Sequence, residues 1–270
     1  MKSVILMGCG ALGSVFAEHF HRTLSPDYRL SGVYDLEAGQ AEKVAARVSQ
    51  ECTVYPSLAA ILEARPDYVV EFAGARAIIE CAEALLCAGI HLVIASVGAL
   101  SDASLRDRLA EAARQGGSRL HIISGAIGGF DLFRTLSLML PNLHVTVDNW
   151  KAPESLAGAP WLEGYVMSRS SVDRVFSGNA VEAIQGFPKN VNVAVGAALA
   201  SVGPERTLVN IYSVPGSTVN SHRIILECDG THAEVLIESK PDPANPKSST
   251  MTAWSALALL KNLAAPIQFF

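Results

Sequence analysis

Val4-Ile5-Leu6-Met7 runs straight into Gly8-Cys9-Gly10-Ala11-Leu12-Gly13, and the reading of this stretch decides the fold. The first four residues form a short apolar run, the pattern of a strand buried on both faces of a parallel sheet. Ala11, Leu12, Val15, Phe16 and Phe20 then recur at helical spacing. A G-x-G-x-x-G pattern is weak alone, because small residues make it common. Here it leaves a strand and opens a helix, the context that a dinucleotide-binding loop requires. In that reading Gly8 permits the tight turn, Gly10 lets the backbone approach a pyrophosphate, and Gly13 lets helix and strand pack closely. The first-turn N–H groups, at Ala11, Leu12 and Gly13, then face the phosphates together with the positive end of the helix dipole.

Asp35 follows Val33-Tyr34 and lies 22 residues after Gly13. This is close to where the fingerprint places an acid on the adenosine ribose. Its carboxylate would repel a 2′-phosphate, so NAD is the expected cofactor, with NADP as the alternative. The competing reading is a turn Asp that caps the next helix.

Outward from this motif the alternation continues. Apolar strand patterns over 28–34, 67–72, 91–95 and 119–123 are separated by helical patterns over 38–49, 57–64, 76–88 and 102–115. Ser57 is placed to cap one helix and Gly89 to end another. The prediction is an α/β protein with an N-terminal Rossmann-type, doubly wound parallel sheet over 1–123. After Ile123 the texture changes. Ser124-Gly125-Ala126-Ile127-Gly128-Gly129 precedes a helix over 130–140. Strand patterns over 144–148, 164–168, 208–212, 223–226 and 233–237 follow, with Asp229-Gly230 as a hairpin turn and a helix over 191–199. Residues 124–246 therefore read as an α+β second domain with a mostly antiparallel sheet. A final helix over 247–264 is expected to pack back on the first domain.

Composition narrows the classes. Of 270 residues, 50% are hydrophobic and 17% charged, and the net charge is −5. A disordered chain is excluded, and neither a nucleic-acid surface nor a membrane surface is expected. The five cysteines form no C-x-x-C pair. Neither a disulfide framework nor a metal site is indicated, and buried free thiols in the cytoplasm are expected. No targeting segment or membrane span is read.

Longer motifs carry a resemblance. They are Val69-Val70-Glu71, Ser96-Val97-Gly98-Ala99-Leu100-Ser101-Asp102, Ser124 through Gly129, Phe187-Pro188-Lys189-Asn190-Val191-Asn192-Val193-Ala194, Asn220-Ser221-His222, and Asn245-Pro246-Lys247-Ser248-Ser249. With these segments the chain resembles the L-aspartate dehydrogenase family from Gly8 to about Ser255. The resemblance implies oxidation of L-aspartate to iminoaspartate with a nicotinamide cofactor. The product would hydrolyse to oxaloacetate and ammonia, or feed quinolinate and NAD synthesis. It also implies an active-site histidine at His222 and cofactor contacts at Ala126 and Asn192. Val214-Pro215 stands where the family often has Asp-Pro, and Lys151-Ala152-Pro153 stands for its Lys-Pro-Pro.

The chemistry asks for a proton acceptor, which an imidazole supplies near neutral pH. It also asks for partners for two carboxylates, for which Lys151 and Lys189 are candidates, each against the alternative of a solvated surface lysine. The small-molecule partner is aspartate, and a homodimer through an exposed face of the second sheet is the expected assembly. Two rivals share these features. One is a dehydrogenase or reductase of the homoserine or dihydrodipicolinate type. The other is a non-catalytic dinucleotide-binding redox sensor, which would need no polar set such as Asn192 and His222.

Overall fold

In the computed structural model, which describes residues 1–48, 51–240 and 249–269, Val4, Ile5 and Leu6 are fully buried in the first strand, β1 (Lys2–Met7). The chain continues through α1 (Ala11–Leu24), β2 (Tyr28–Tyr34), α2 (Ala38–Val48), β3 (Thr53–Val54), α3 (Leu58–Ala64), β4 (Tyr68–Glu71), α4 (Ala75–Cys87) and β5 (His91–Ile94). A 3₁₀ turn (Val97–Ser101), α5 (Ala103–Gly116) and β6 (Leu120–Ile122) complete this part. The six strands are parallel in the order β3-β2-β1-β4-β5-β6. The order reverses between β1 and β4, and in open α/β sheets ligands bind at that crevice, beyond the carboxyl ends of the strands. Local signals behave as expected. The Ser57 side chain accepts from Ala60 N at 3.2 Å, and Asp102 accepts from Leu105 N at 3.2 Å.

The second unit, Ser124–Ser249, opens with α6 (Phe130–Met139). It continues through β7 (His144–Lys151), α7 (Pro153–Leu156), β8 (Asp173–Asn179), α8 (Ala180–Gly186) and α9 (Asn192–Leu199) to β9 (Thr207–Ser213), β10 (Asn220–Cys228) and β11 (Thr231–Ser239). Its sheet order is β11-β10-β7-β9-β8, antiparallel except for the β7/β9 pair. Asp229-Gly230 forms the two-residue hairpin turn, with Gly230 at φ +75°. The core of this unit gathers Val145, Val147, Val209, Ile211, Ile224 and Leu226 from one face of the sheet, with Phe133, Phe187, Ala194 and Ala197 from the helices.

The last helix, α10 (Met251–Ala264), belongs to the first unit. Ala253, Ala256, Leu257 and Leu260 join Phe16, Ala17, Phe20 and Leu24 of α1 in its core. Residues 245–248 of the Asn245–Ser249 motif lie outside the described residues, as do the first positions of the helix expected over 247–264.

Three expectations are corrected. The stretch 164–168 is not a strand. Gly164 turns at φ +76°, Val166 is exposed, and Ser168 Oγ accepts from the N–H groups of Ser170 and Ser171. Such local bonding competes with a sheet ladder, and the strand begins at Asp173 instead. β7 runs on past Asp148 to Lys151, with consequences for the site. All five cysteines are free, but Cys87 is exposed and Cys81 and Cys228 are only partly buried.

Candidate active site

In the first unit the glycines divide by physical role. A Cβ on Gly8, whose φ is +98°, would lie 2.5 Å from Ala73 N, and one on Gly13 would lie 1.9 Å from Gly8 O. Both positions are closed by the chain itself. At Gly10 nothing lies within 4 Å of the Cβ position, and the backbone is extended. The fold does not require glycine there, and its absent side chain leaves open space at the N-terminus of α1. The first intrahelical bond is Ser14 N to Gly10 O at 2.9 Å, so the N–H groups of Ala11, Leu12 and Gly13 precede the helix ladder. No acid occupies the first turn of α1. This cradle fits a dinucleotide phosphate.

Asp35, just past β2, borders it. Its Oδ2 accepts from Cys9 N at 2.7 Å and its Oδ1 from Glu37 N at 2.9 Å. The bond to Glu37 N makes a local turn ahead of α2 rather than a cap on it, and the carboxylate oxygens keep further lone pairs. The Cys9 thiol is buried, and burial followed by the Asp35 charge pushes it up to about 12. It is no nucleophile at neutral pH.

On the neighbouring strand Glu71 is buried at the end of β4. Its carboxylate accepts from Gly74 N at 2.7 Å, Ser96 N at 3.0 Å and Ser96 Oγ at 2.7 Å. It ties together the loops after β4 and β5, which accounts for the Val69-Val70-Glu71 and Ser96 motifs. Burial raises its pKa, and these hydrogen bonds oppose the rise.

In the second unit the polar residues follow from strand alternation. Val145 and Val147 of β7 face the core, so Asn149 and Lys151 continue the same face. Asn149 pairs with His222 of β10, and Lys151 pairs with Ser213 of β9. The apolar stripe therefore ends in a polar group of Asn149, Lys151, Ser213 and His222, all nearly inaccessible to solvent. His222 Nδ1 lies 2.7 Å from Asn149 Oδ1. Asp148 and Trp150 point the other way. There Asp148 pairs with Arg223 at 2.7 Å and Trp150 stacks on Tyr212.

Two electrostatic facts define the group. The Lys151 ammonium, 3% exposed, makes no hydrogen bond or ion pair among the described residues, and burial lowers its pKa to about 8. His222 is lowered to about 3, by burial and then by the Lys151 charge. The expectation of an imidazole titrating near its ordinary value is thus corrected. His222 is neutral across the working range of an enzyme.

The other candidates lie differently. Lys189 is exposed in the turn between α8 and α9 and has no ion pair among the described residues. Asn192 is exposed as the first residue of α9, while Ala126 is buried in the loop before α6. Neither Asn190 nor Asn192 caps α9, whose N-cap is Val191. Asn190 Nδ2 instead donates to Ser155 O at 2.9 Å. The sequence reading missed Asn149, and only the register of β7 against β10 reveals it.

Two family models match the chain. The NAD-binding domain of homoserine dehydrogenase covers residues 8–122, and the C-terminal domain of aspartate dehydrogenase covers residues 131–263. Among similar proteins is an L-aspartate dehydrogenase of Methanosarcina barkeri, 33% identical over 99% of both chains. Another is that of Pseudomonas aeruginosa, 34% identical over 99% of both. The crystal structure of aspartate dehydrogenase from Thermotoga maritima superposes over 100% of both chains with a TM-score of 0.75 at 24% identity, a likeness of fold.

Proposed function

The chain belongs to the L-aspartate dehydrogenase family, and on that premise we propose how its residues divide the work of dehydrogenating L-aspartate. It is a nicotinamide-dependent oxidoreductase. The observation that carries the assignment of roles is the buried Lys151 ammonium. An unpaired charge in a low-dielectric site is costly, and a substrate carboxylate supplies the missing counter-charge. Lys151 therefore holds one carboxylate of aspartate. Lys189, exposed to solvent as surface lysines are, is the weaker candidate for the other.

His222 accepts a proton, from the substrate ammonium or from the water that hydrolyses the imine. A carboxylate bound at Lys151 offsets the charge acting on the ring, and so raises its basicity in the complex. Gly8, Gly10, Ala11, Leu12, Gly13 and Asp35 hold the dinucleotide, and Ala126 and Asn192 contact it as the family resemblance implies. The chemistry the cofactor supplies when bound is acceptance of a hydride from the substrate Cα. Asp35, followed by an exposed Leu36 rather than a cation, favours NAD over NADP. The product is iminoaspartate, released for hydrolysis to oxaloacetate and ammonia or for quinolinate synthesis.

Among the described residues no helix is long and apolar enough to cross a membrane. A cytoplasmic setting suits five free thiols. A homodimer is proposed through the open face of the second sheet, where Leu208 and Leu236 are exposed.

The test is a substrate screen at the absorbance band of reduced nicotinamide. Aspartate with NAD should give a rising signal, and alanine and asparagine should give far less. Tight NAD binding with no turnover of aspartate would contradict the enzyme reading and favour a sensor.

A further inference from the structure

The orientation of the Asn149 side chain is fixed by its second partner. Nδ2 lies 3.4 Å from Asn210 O, a carbonyl that only accepts, so the amide nitrogen belongs on that side. Oδ1 is then the atom 2.7 Å from His222 Nδ1. Turning the amide over would set oxygen against the Asn210 carbonyl oxygen in a fully buried position. An amide oxygen only accepts, so the ring nitrogen facing it carries the hydrogen. With the hydrogen on the other nitrogen, two acceptors would meet at 2.7 Å with no water to separate them. The remaining neighbours leave this choice in place. Ile237, opposite His222 on β11, is apolar, and Lys151 is the charged group acting on the ring.

We propose that Asn149 is a positioning residue that locks His222 as the Nδ1–H tautomer, so that the Nε2 lone pair is the one that takes the proton during aspartate oxidation. The proposal rests on the reading of His222 as the proton acceptor. The backbone makes the lock rigid. Asn149 and His222 are directly opposed on antiparallel strands, a pairing that keeps their Cβ atoms at about 5 Å. The hydrogen on Nδ1 stays with Nδ1 throughout. The proton from ammonium or water joins Nε2, giving a transient imidazolium that the Asn149 carbonyl continues to accept from.

The experiment is a long-range proton–nitrogen correlation on ¹⁵N-histidine-labelled protein at neutral pH, with the His222 signals assigned by their loss in His222→Gln. The expected wild-type spectrum shows the hydrogen on Nδ1 and an unprotonated Nε2. A wild-type ring protonated at Nε2 overturns the proposal, whether or not any Asn149 variant folds. Asn149→Leu, which cannot accept, should shift the ring toward the Nε2–H form. It should lower kcat roughly two- to tenfold, the factor one neutral hydrogen bond controls, while leaving the KM for aspartate in place. Asn149→Asp should restore the Nδ1–H form and raise the ring pKa. An unchanged tautomer in Asn149→Leu would also overturn the lock. Normal turnover in His222→Gln alongside an Nδ1–H wild type would confirm the tautomer and remove the proton-acceptor premise, so the two failures are told apart.

Discussion

Replacing Lys151 with methionine should make the protein more stable and a poorer enzyme at once. Methionine has similar length and no charge. In the folded protein burial lowers the Lys151 pKa from 10.5 to about 8. At 1.36 kcal/mol per pKa unit, holding the ammonium in that site costs roughly 3 kcal/mol at neutral pH. The unfolded chain binds the proton more tightly, so this cost is fully present below pH 8. It fades as pH rises from there and is gone above about 10.5, where both states are neutral. Lys151→Met removes it. For a chain of this size, about 2–4 °C of Tm accompanies each kcal/mol, so a rise of at least several degrees is expected near pH 7. The wild-type and variant melting temperatures should converge toward pH 10.5. Loss of a charge-assisted bond of about 2–3 kcal/mol to a carboxylate should cut kcat/KM for aspartate on the order of a hundredfold. Calorimetric melting at several pH values, with steady-state kinetics on the same samples, reads both effects. A variant that is less stable at neutral pH would show that the ammonium is already paired. Unchanged kcat/KM for aspartate would show that the substrate carboxylates are held elsewhere.

The cofactor site yields two further expectations. Asp35→Ala should narrow the preference for NAD over NADP, measured as the ratio of kcat/KM values, and a wild type that already prefers NADP would refute the role given to Asp35. Gly10→Ala should melt like wild type but raise the KM for the dinucleotide, because its Cβ enters space no protein atom fills. Gly13→Ala should lose stability by more than about 1 kcal/mol, since its Cβ would overlap Gly8 O. Equal melting of the two glycine variants would contradict the division between them.

The first sheet was legible because its strands are buried on both faces and so appear as apolar runs, while Gly8, Gly10 and Gly13 mark the turn from the first strand into the first helix, packed tight at Gly8 and Gly13 and open at Gly10. The Asp229-Gly230 turn was legible for a similar local reason, a positive φ at Gly230. What stayed hidden depends on partners far along the chain. The 164–168 stretch alternates like a strand, yet its one serine, Ser168, bonds to the loop that follows it. Lys151 is an ordinary lysine in sequence, and its burial follows only from the extension of β7 beyond Asp148 and its pairing with β9. Asn149 has no local signal at all. Its meaning comes from the register that sets it opposite His222, 73 residues away. The same burial moves His222 far from the imidazole value that the sequence suggests.

The central claim is that His222 handles a proton in the oxidation of aspartate, and His222→Ala tests it most directly. The turnover number and the thermal melting curve are measured on one preparation, with NAD binding as the control. The account predicts a folded protein whose kcat is lower by about 10²–10⁴-fold, the usual worth of a positioned acid–base group, with NAD affinity nearly unchanged. A folded His222→Ala protein that turns over aspartate at a near-normal kcat would contradict it.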